Sequence, residues 1–333
     1  MRDLVNNKVS VIIPAYNAEN TIINLLNDLK KQTYCKNLLE IIIVNDGSKD
    51  RTSELCRNFC ANNSNFILID KENGGVSSAR NKGLEIATGK FVTFFDSDDR
   101  CNKDIIKIMV STMIKTNADL VCCGILEKNK DTVNIYGSDN DLLFNLGNSD
   151  LYVKFFNDYW LPVVWNKLYK RELIKESFVE DISYDEDTIF NLQYLKNVKN
   201  IACVKDSLYT YNINSENSLT SKGLKDIFDK SKITNPYRRE LSCEIFKEDK
   251  CVWVACKKII ESIFLEAKYL FNNNIKTDKI LSKITERLKD DEVQKSLSHY
   301  QELNLQDAVI KELIENRDYV GILNFAIFGF KEK

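Results

Sequence analysis

Four short apolar runs separated by longer amphipathic stretches limit the folds open to this chain more than any other feature. Val9-Ser10-Val11-Ile12-Ile13-Pro14, Leu39-Glu40-Ile41-Ile42-Ile43-Val44, Phe66-Ile67-Leu68-Ile69 and Phe91-Val92-Thr93-Phe94-Phe95 are rich in Ile, Val and Phe. Runs of that length and type suit strands buried on both faces. Between them, Ile22, Leu25, Leu26 and Leu29 fall on one helical face, as do Thr52, Leu55, Cys56 and Phe59. This alternation predicts an α/β fold with a parallel sheet. In such a sheet ligands bind beyond the carboxyl ends of the strands. Ala15-Tyr16-Asn17, Asn45-Asp46-Gly47-Ser48 and Asp96-Ser97-Asp98 each follow a strand directly, which puts three polar clusters on one rim.

The third cluster ends a strand in carboxylates. Asp96 and Asp98 flank a single residue, so both can reach one hard cation, or they divide between the cation and a sugar hydroxyl. A cation held this way usually partners a phosphate. A solvated acidic turn is the plain alternative. No G-x-G-x-x-G follows the first strand, which argues against a dinucleotide-binding dehydrogenase, and no G-x-x-x-x-G-K-[ST] provides the cradle of a P-loop nucleotidase. What remains is an acidic turn at Asp46, the pair Gly74-Gly75 and a strand end suited to a metal.

Five motifs then occur in order: Pro14-Ala15-Tyr16-Asn17; Val44-Asn45-Asp46-Gly47-Ser48 with Asp50 and Thr52; Asn73-Gly74-Gly75; Ala79-Arg80-Asn81 with Gly83; and Phe95-Asp96-Ser97-Asp98-Asp99. Together they resemble glycosyltransferase family 2, densely over residues 8–100 and more sparsely to about residue 220. The resemblance implies the A-type glycosyltransferase fold, a Rossmann-like, mostly parallel sheet flanked by helices. It also implies a nucleotide-diphosphate sugar donor, a divalent cation (Mn²⁺ or Mg²⁺) and transfer with inversion. By matched position, Pro14, Ala15, Tyr16, Asn17, Asp46, Asn73, Gly75, Arg80, Asp96 and Ser97 form the nucleotide-sugar site. Tyr16 lies beside the base, and Asp46 accepts a hydrogen bond from uracil's ring N–H, which points to a UDP-sugar. Arg80, on a helix starting near Val76, is placed near the base or the phosphates. Asp98 coordinates the metal directly, and Asp96 contacts the ribose, the metal or a metal-bound water. Each has a plainer reading: Tyr16 packs, Asp46 caps the helix after Ser48, Arg80 pairs with a surface carboxylate. Asp99 is read as a cap for the helix containing Ile105, Ile106 and Met109.

An inverting transfer needs a base for the acceptor hydroxyl. Glu186-Asp187 followed by Phe190 resembles the family's base-bearing segment, and Asp187 is the expected base; an acidic first turn of a helix over 188–195 is the structural alternative. Trp165, in Trp165-Asn166-Lys167-Leu168-Tyr169, either stacks on a sugar or belongs to the core. Tyr209-Thr210-Tyr211-Asn212 places Asn212 where family members often carry a basic residue, which leaves Lys222 as a candidate to close over the diphosphate.

A chain of 333 residues, 44% hydrophobic, can bury a sizeable core. Its net charge of −2 offers no broad basic footprint for nucleic acid. Ten Cys without a C-x-x-C and a single His, His299, argue against zinc and against a His-based hydrolase. The thiols read as reduced core residues of a cytoplasmic protein. The expected division is a catalytic domain over 1–220, with a nucleotide-sugar half at 1–100 and an acceptor half at 101–220, followed by a mainly helical extension over 221–333. That extension carries one stripe at Ile259, Ile260, Ile263 and Phe264 and another at Leu281, Ile284 and Leu288. Its faces are suited to an acceptor, a second subunit or another enzyme, or to packing. The apolar segment Val320 to Phe330 is shorter than the ~20 residues of a membrane span, and reads as a peripheral contact at the inner face of the cell membrane or as internal packing. The resulting expectation is a metal-dependent inverting enzyme that moves a sugar from a UDP-sugar to a glycan or lipid-linked glycan hydroxyl in bacterial surface-polysaccharide synthesis. The alternatives are a catalytically silent nucleotide-sugar-binding subunit and a nucleotidyltransferase.

Overall fold

The structure, a computed structural model, describes residues 7–129, 131–157, 161–213 and 226–329. The chain divides into two compact units, one ending at Ile213 and the other described from residue 226 onward. Lys222 and Phe330 lie outside the described residues.

The first unit is built on one mixed sheet. Strands β1 (Val9–Ala15), β2 (Leu39–Asp46), β3 (Phe66–Lys71) and β4 (Phe91–Phe94) are the four apolar runs, and they pair in parallel in the order β3-β2-β1-β4. Every residue of β1 and β2 is buried, because helices cover both faces. Each fully buried Ile, Leu or Val side chain there contributes about 1.5–3 kcal/mol. The helices are α1 (Ile22–Lys30), α2 (Thr52–Ala61) and α3 (Gly75–Ile86), and α1 inserts Ile22, Leu25, Leu26 and Leu29 as its spacing predicts. At Gly83, a Cβ would sit 2.3 Å from Cγ2 of Ile12, so this glycine lets α3 lie directly on β1. The chain moves outward from β1 to β3 and then returns to add β4 on the other side of β1. The crevice at that reversal, outside the strand ends, is where open α/β sheets bind ligands.

The rest of the unit extends the sheet with β5 (Arg100–Cys101), β6 (Leu120–Lys128), β7 (Val133–Tyr136), β8 (Leu142–Asn145), β9 (Lys167–Lys170) and β10 (Asn200–Asn212), and adds helices α4 (Ile105–Thr116), α5 (Ser149–Asn157) and α6 (Glu186–Leu195). Antiparallel β9 joins β4 to β6, and β6 pairs in parallel with β10. Register shifts interrupt the β6–β10 ladder near Ser207; irregularities of this kind re-aim the residues that follow, here Tyr209 and Tyr211.

The second unit is helical, as its stripes predict. Its main helices span Ile227–Ile245, Lys258–Asn272 and Thr277–Leu288, and its core gathers Phe228, Trp253, Ile259, Ile260, Ile263, Phe264, Ile280 and Ile284. Ile322, Leu323 and Ala326 enter that core while Val320 and Phe328 stay exposed. At least one face of the C-terminal apolar segment is therefore internal packing. Among the described residues no helix is long and apolar enough to cross a membrane. All ten cysteines are free thiols, but Cys35 and Cys243 are exposed, which corrects the expectation that all of them are core residues.

Candidate active site at the β1–β4 rim

The ends of β1 and β2 are stitched into one surface. Pro14 and Ala15 pair in register with Val44 and Asn45. Beyond them Asn17 adopts a left-handed backbone (φ 49°), which Asn tolerates better than most residues. Its N–H donates to Ser48 Oγ (3.0 Å), and its side-chain oxygen accepts from the N–H of Lys49 (2.8 Å). Ala18 N–H donates to Thr52 Oγ1 and Glu19 N–H to Asp50 Oδ2. The motif residues Ser48, Asp50 and Thr52 therefore join the two loops. Tyr16 is left 51% exposed on this surface, so the reading that it packs inside is overturned; its ring face is open to a planar ligand.

Asp46, at the end of β2, is buried. Its carboxylate accepts from the backbone N–H groups of Gly74 (3.0 Å) and Gly75 (2.8 Å) and from Lys71 Nζ (2.6 Å), while Asn73 Nδ2 donates to its carbonyl. It thus occupies the anion position at the N-terminus of α3. The helix it caps is this one, not the helix after Ser48. Gly47 permits the arrangement: its φ is +70°, and a Cβ would lie 2.7 Å from the Asn73 nitrogen.

The turn after β4 holds three carboxylates in different states. Asp99 is buried and accepts from Tyr209 Oη (2.8 Å) and the Asn212 N–H (2.9 Å), so it anchors β10 and does not cap α4, whose N-cap is Asp104. Burial, with Asp96 and Asp98 nearby, raises its pKa well above the usual range. Asp98 is exposed, and Asn212 Nδ2 donates to its backbone carbonyl. Desolvation around the carboxyl and the repulsion of Asp96 hold it above its ordinary value. Ser97 is half-buried between them. Asn212, the departure from the family pattern, therefore braces this turn.

Asp96 belongs to a second cluster. The Arg80 guanidinium, 3% exposed, reaches Asp96 Oδ1 at 3.1 Å, Asp187 Oδ1 at 2.5 Å and Glu186 Oε1 at 3.5 Å, and lies over the Phe178 ring. It pairs with half-buried site carboxylates, not with a surface one. Asp187 stands in the first turn of α6, which begins after Asp185 in a left-handed conformation (φ 63°); its other oxygen accepts from Val164 N–H (3.4 Å). Burial pushes the Asp187 carboxyl up to about 7, Glu186 and Asp96 add to the rise, and Arg80 opposes it. A carboxylate near neutrality suits proton transfer.

Trp165 is not on this surface. It is 6% exposed and stacks on Tyr209 (4.4 Å) and Tyr211 (5.5 Å), so the core reading holds and sugar stacking does not. Three participants escaped the sequence reading: Lys71 on Asp46, Phe178 under Arg80, and Tyr209, which accepts from the Asp96 N–H while donating to Asp99. Only Tyr209 had a signal, its place in the Tyr-x-Tyr motif.

The family model for glycosyl transferase family 2 matches residues 10–178. The chain belongs to this family. EpsJ of Bacillus subtilis, an uncharacterized glycosyltransferase, is 31% identical over 227 residues, 66% of this chain and 65% of EpsJ. TarS of Staphylococcus aureus, a poly(ribitol-phosphate) beta-N-acetylglucosaminyltransferase, is 31% identical over 209 residues, 61% of this chain and 35% of TarS. The chain thus spans less than two thirds of these relatives. In structure, TarS 1–349 in complex with UDP-GlcNAc superposes with a TM-score of 0.66 at 21% identity, covering 96% of this chain and 90% of that one. The mannosyltransferase PcManGT of Pyrobaculum calidifontis, in complex with GDP-Man and Mn²⁺, follows at 0.59 and 13%, covering 98% and 89%. The mixed sheet with its helices is the A-type glycosyltransferase fold, carried here with a helical C-terminal region.

Proposed function

We propose that this family 2 chain is a metal-dependent inverting glycosyltransferase that moves a sugar from a UDP-sugar to a hydroxyl of a glycan or polysaccharide precursor on the cytoplasmic side of a bacterial membrane. One observation carries the reading: the Arg80 guanidinium spans from Asp96, on the donor side of the rim, to Asp187, the candidate base. A base so placed is within reach of a nucleophile arriving at a sugar bound over the β4 turn. TarS, whose structure holds UDP-GlcNAc, and the nature of the named relatives support the donor and acceptor classes.

The acceptor oxygen bonds to the anomeric carbon as the carbon–phosphate oxygen bond breaks; the hydroxyl proton passes to Asp187, and the electron pair leaves with the nucleoside diphosphate. In-line attack inverts the anomeric centre. Asp187 must be ionised, and Arg80 holds that form against burial. On the donor side, Tyr16 offers an exposed ring to the base. Asp46 Oδ2 accepts a single N–H, from Gly75, which leaves it capacity for uracil's N–H.

The residues present fit a divalent cation. Among the described residues no three His, Cys, Asp or Glu form a closed cage, and Mg²⁺-type sites serving phosphates take one or two carboxylates plus phosphate oxygens. Asp98, whose carboxyl is raised by desolvation and by the repulsion of Asp96, and Asp96 supply that donor set. When bound, the ion neutralises charge developing on the leaving diphosphate.

Calorimetric titration with UDP and UDP-GlcNAc, with Mn²⁺ and with EDTA, combined with measurement of UDP release, tests the reading. Mn²⁺-dependent binding with turnover is the expected result; absence of UDP binding in both buffers would sink it.

A further inference from the structure

Lys167 has no place in the chemistry above, yet it is fully buried at the start of β9. A buried ammonium is costly unless its hydrogen bonds are met. Its Nζ donates to two uncharged oxygens, the Val163 carbonyl (2.5 Å) and Asn166 Oδ1 (2.8 Å), and desolvation lowers its pKa to about 8. The sheet holds its root: Lys167 pairs with Cys122 of β6, and Asn166 exchanges hydrogen bonds with the backbone of Cys123. The Val163 carbonyl also accepts from Asn191 Nδ2 (3.0 Å), on α6. That carbonyl and the Val164 N–H belong to one peptide unit, and the Val164 N–H donates to Asp187 Oδ2.

We infer that Lys167 is a positioning residue for the base: its ammonium grips the carbonyl end of the 163–164 peptide so that the amide end is aimed at Asp187. Hydrogen bonds in series polarise one another, so a cation at the carbonyl strengthens the N–H as a donor, and a planar peptide fixes its direction. Asn191 on the same oxygen ties this peptide to the helix that carries Asp187. Arg80 then holds Oδ1 and the 163–164 peptide holds Oδ2, which sets the rotation of the carboxylate. The inference rests on the reading of Asp187 as the base.

The test is a double-mutant cycle of Lys167→Met, which keeps the stem length without charge or donors, and Asp187→Asn. The readout is UDP release from UDP-GlcNAc with Mn²⁺ and water as acceptor. The expected result is that Lys167→Met lowers kcat about tenfold with KM changed less than about twofold, and that it adds nothing in the Asp187→Asn background. Wild-type kcat in Lys167→Met, or a loss that adds fully to that of Asp187→Asn, would overturn the inference. Near-normal turnover in Asp187→Asn alone would instead remove the base assignment. Calorimetric UDP binding reports folding; if Lys167→Met does not bind UDP, Lys167→Gln, which keeps a neutral donor, enters the same cycle with the same deciding outcomes.

Discussion

Two carboxylates on the same rim, Asp46 and Asp187, are both largely enclosed but are held in opposite ways. Asp46 is met by two backbone N–H groups at a helix N-terminus and by Lys71. Two of those three donors are backbone groups fixed by the turn that opens α3. Asp187 has one long backbone hydrogen bond and one guanidinium shared with Glu186 and Asp96, and burial drives its carboxyl up to about 7. A carboxylate oriented by fixed backbone donors with an acceptor position to spare is suited to recognition, whereas one balanced between burial and a shared cation can take up a proton. Burial alone does not separate the two; the partners do.

The comparison breaks most sharply at Asp187. Asp187→Asn keeps shape but removes the proton acceptor, and UDP release is expected to fall by ~10²–10⁴-fold while Mn²⁺-dependent UDP binding persists; near-normal turnover would make the segment an acidic helix start and nothing more. Arg80→Met removes the cation from three carboxylates. With their charges left unpaired, an unfolding free energy lower by about 3–5 kcal/mol is expected in urea titration; a loss under about 1 kcal/mol would show that the cluster relaxes into water. Asp98→Ala should weaken UDP binding at least about tenfold in Mn²⁺ and leave binding in EDTA unchanged. Equal affinities for wild type and variant in Mn²⁺ would remove Asp98 from the metal.

The pH profile sharpens the same contrast. Because the folded Asp187 carboxyl lies above its ordinary value, near 7, the ionised base accumulates only as pH rises through that region. UDP release should therefore fall on acidification below about 7. A rate flat from pH 5.5 to 8 would contradict this, since about one and a half units below the pKa only a few per cent of the base is ionised. The smallest effect is structural: Gly83→Ala drives a methyl toward Ile12 and should lower stability by about 1–3 kcal/mol, read as a shift in the urea midpoint. No change would mean that α3 lifts from β1 at no cost.

Much of the first unit was legible in advance, and the reason is local. Strands buried on both faces must be continuously apolar, so β1 to β4 announce themselves, and parallel order forces their ends onto one rim. The motif loops were legible for the same reason, because Asn17, Ser48, Asp50 and Thr52 bond across the short gap between adjacent strand ends. Side-chain state was less legible. Tyr16 and Trp165 are both aromatic residues within family motifs, yet one is exposed and the other lies in a stack with Tyr209 and Tyr211. Whether a ring meets solvent depends on what a distant strand brings against it.

The order of apolar runs, the polar clusters that end them and the helical stripes after residue 226 were determined by sequence alone, since backbone periodicity and burial act over a few residues. Tertiary structure decided which charges meet. Arg80 and Asp187 are 107 positions apart and Tyr209 and Asp99 are 110 apart. These pairings depend on β4, β9 and β10 reaching one end of the sheet in a given register. An electrostatic partner is set by distance in space, over which the strength of a charge pair varies steeply, and chain spacing carries no record of that distance once a crossover intervenes.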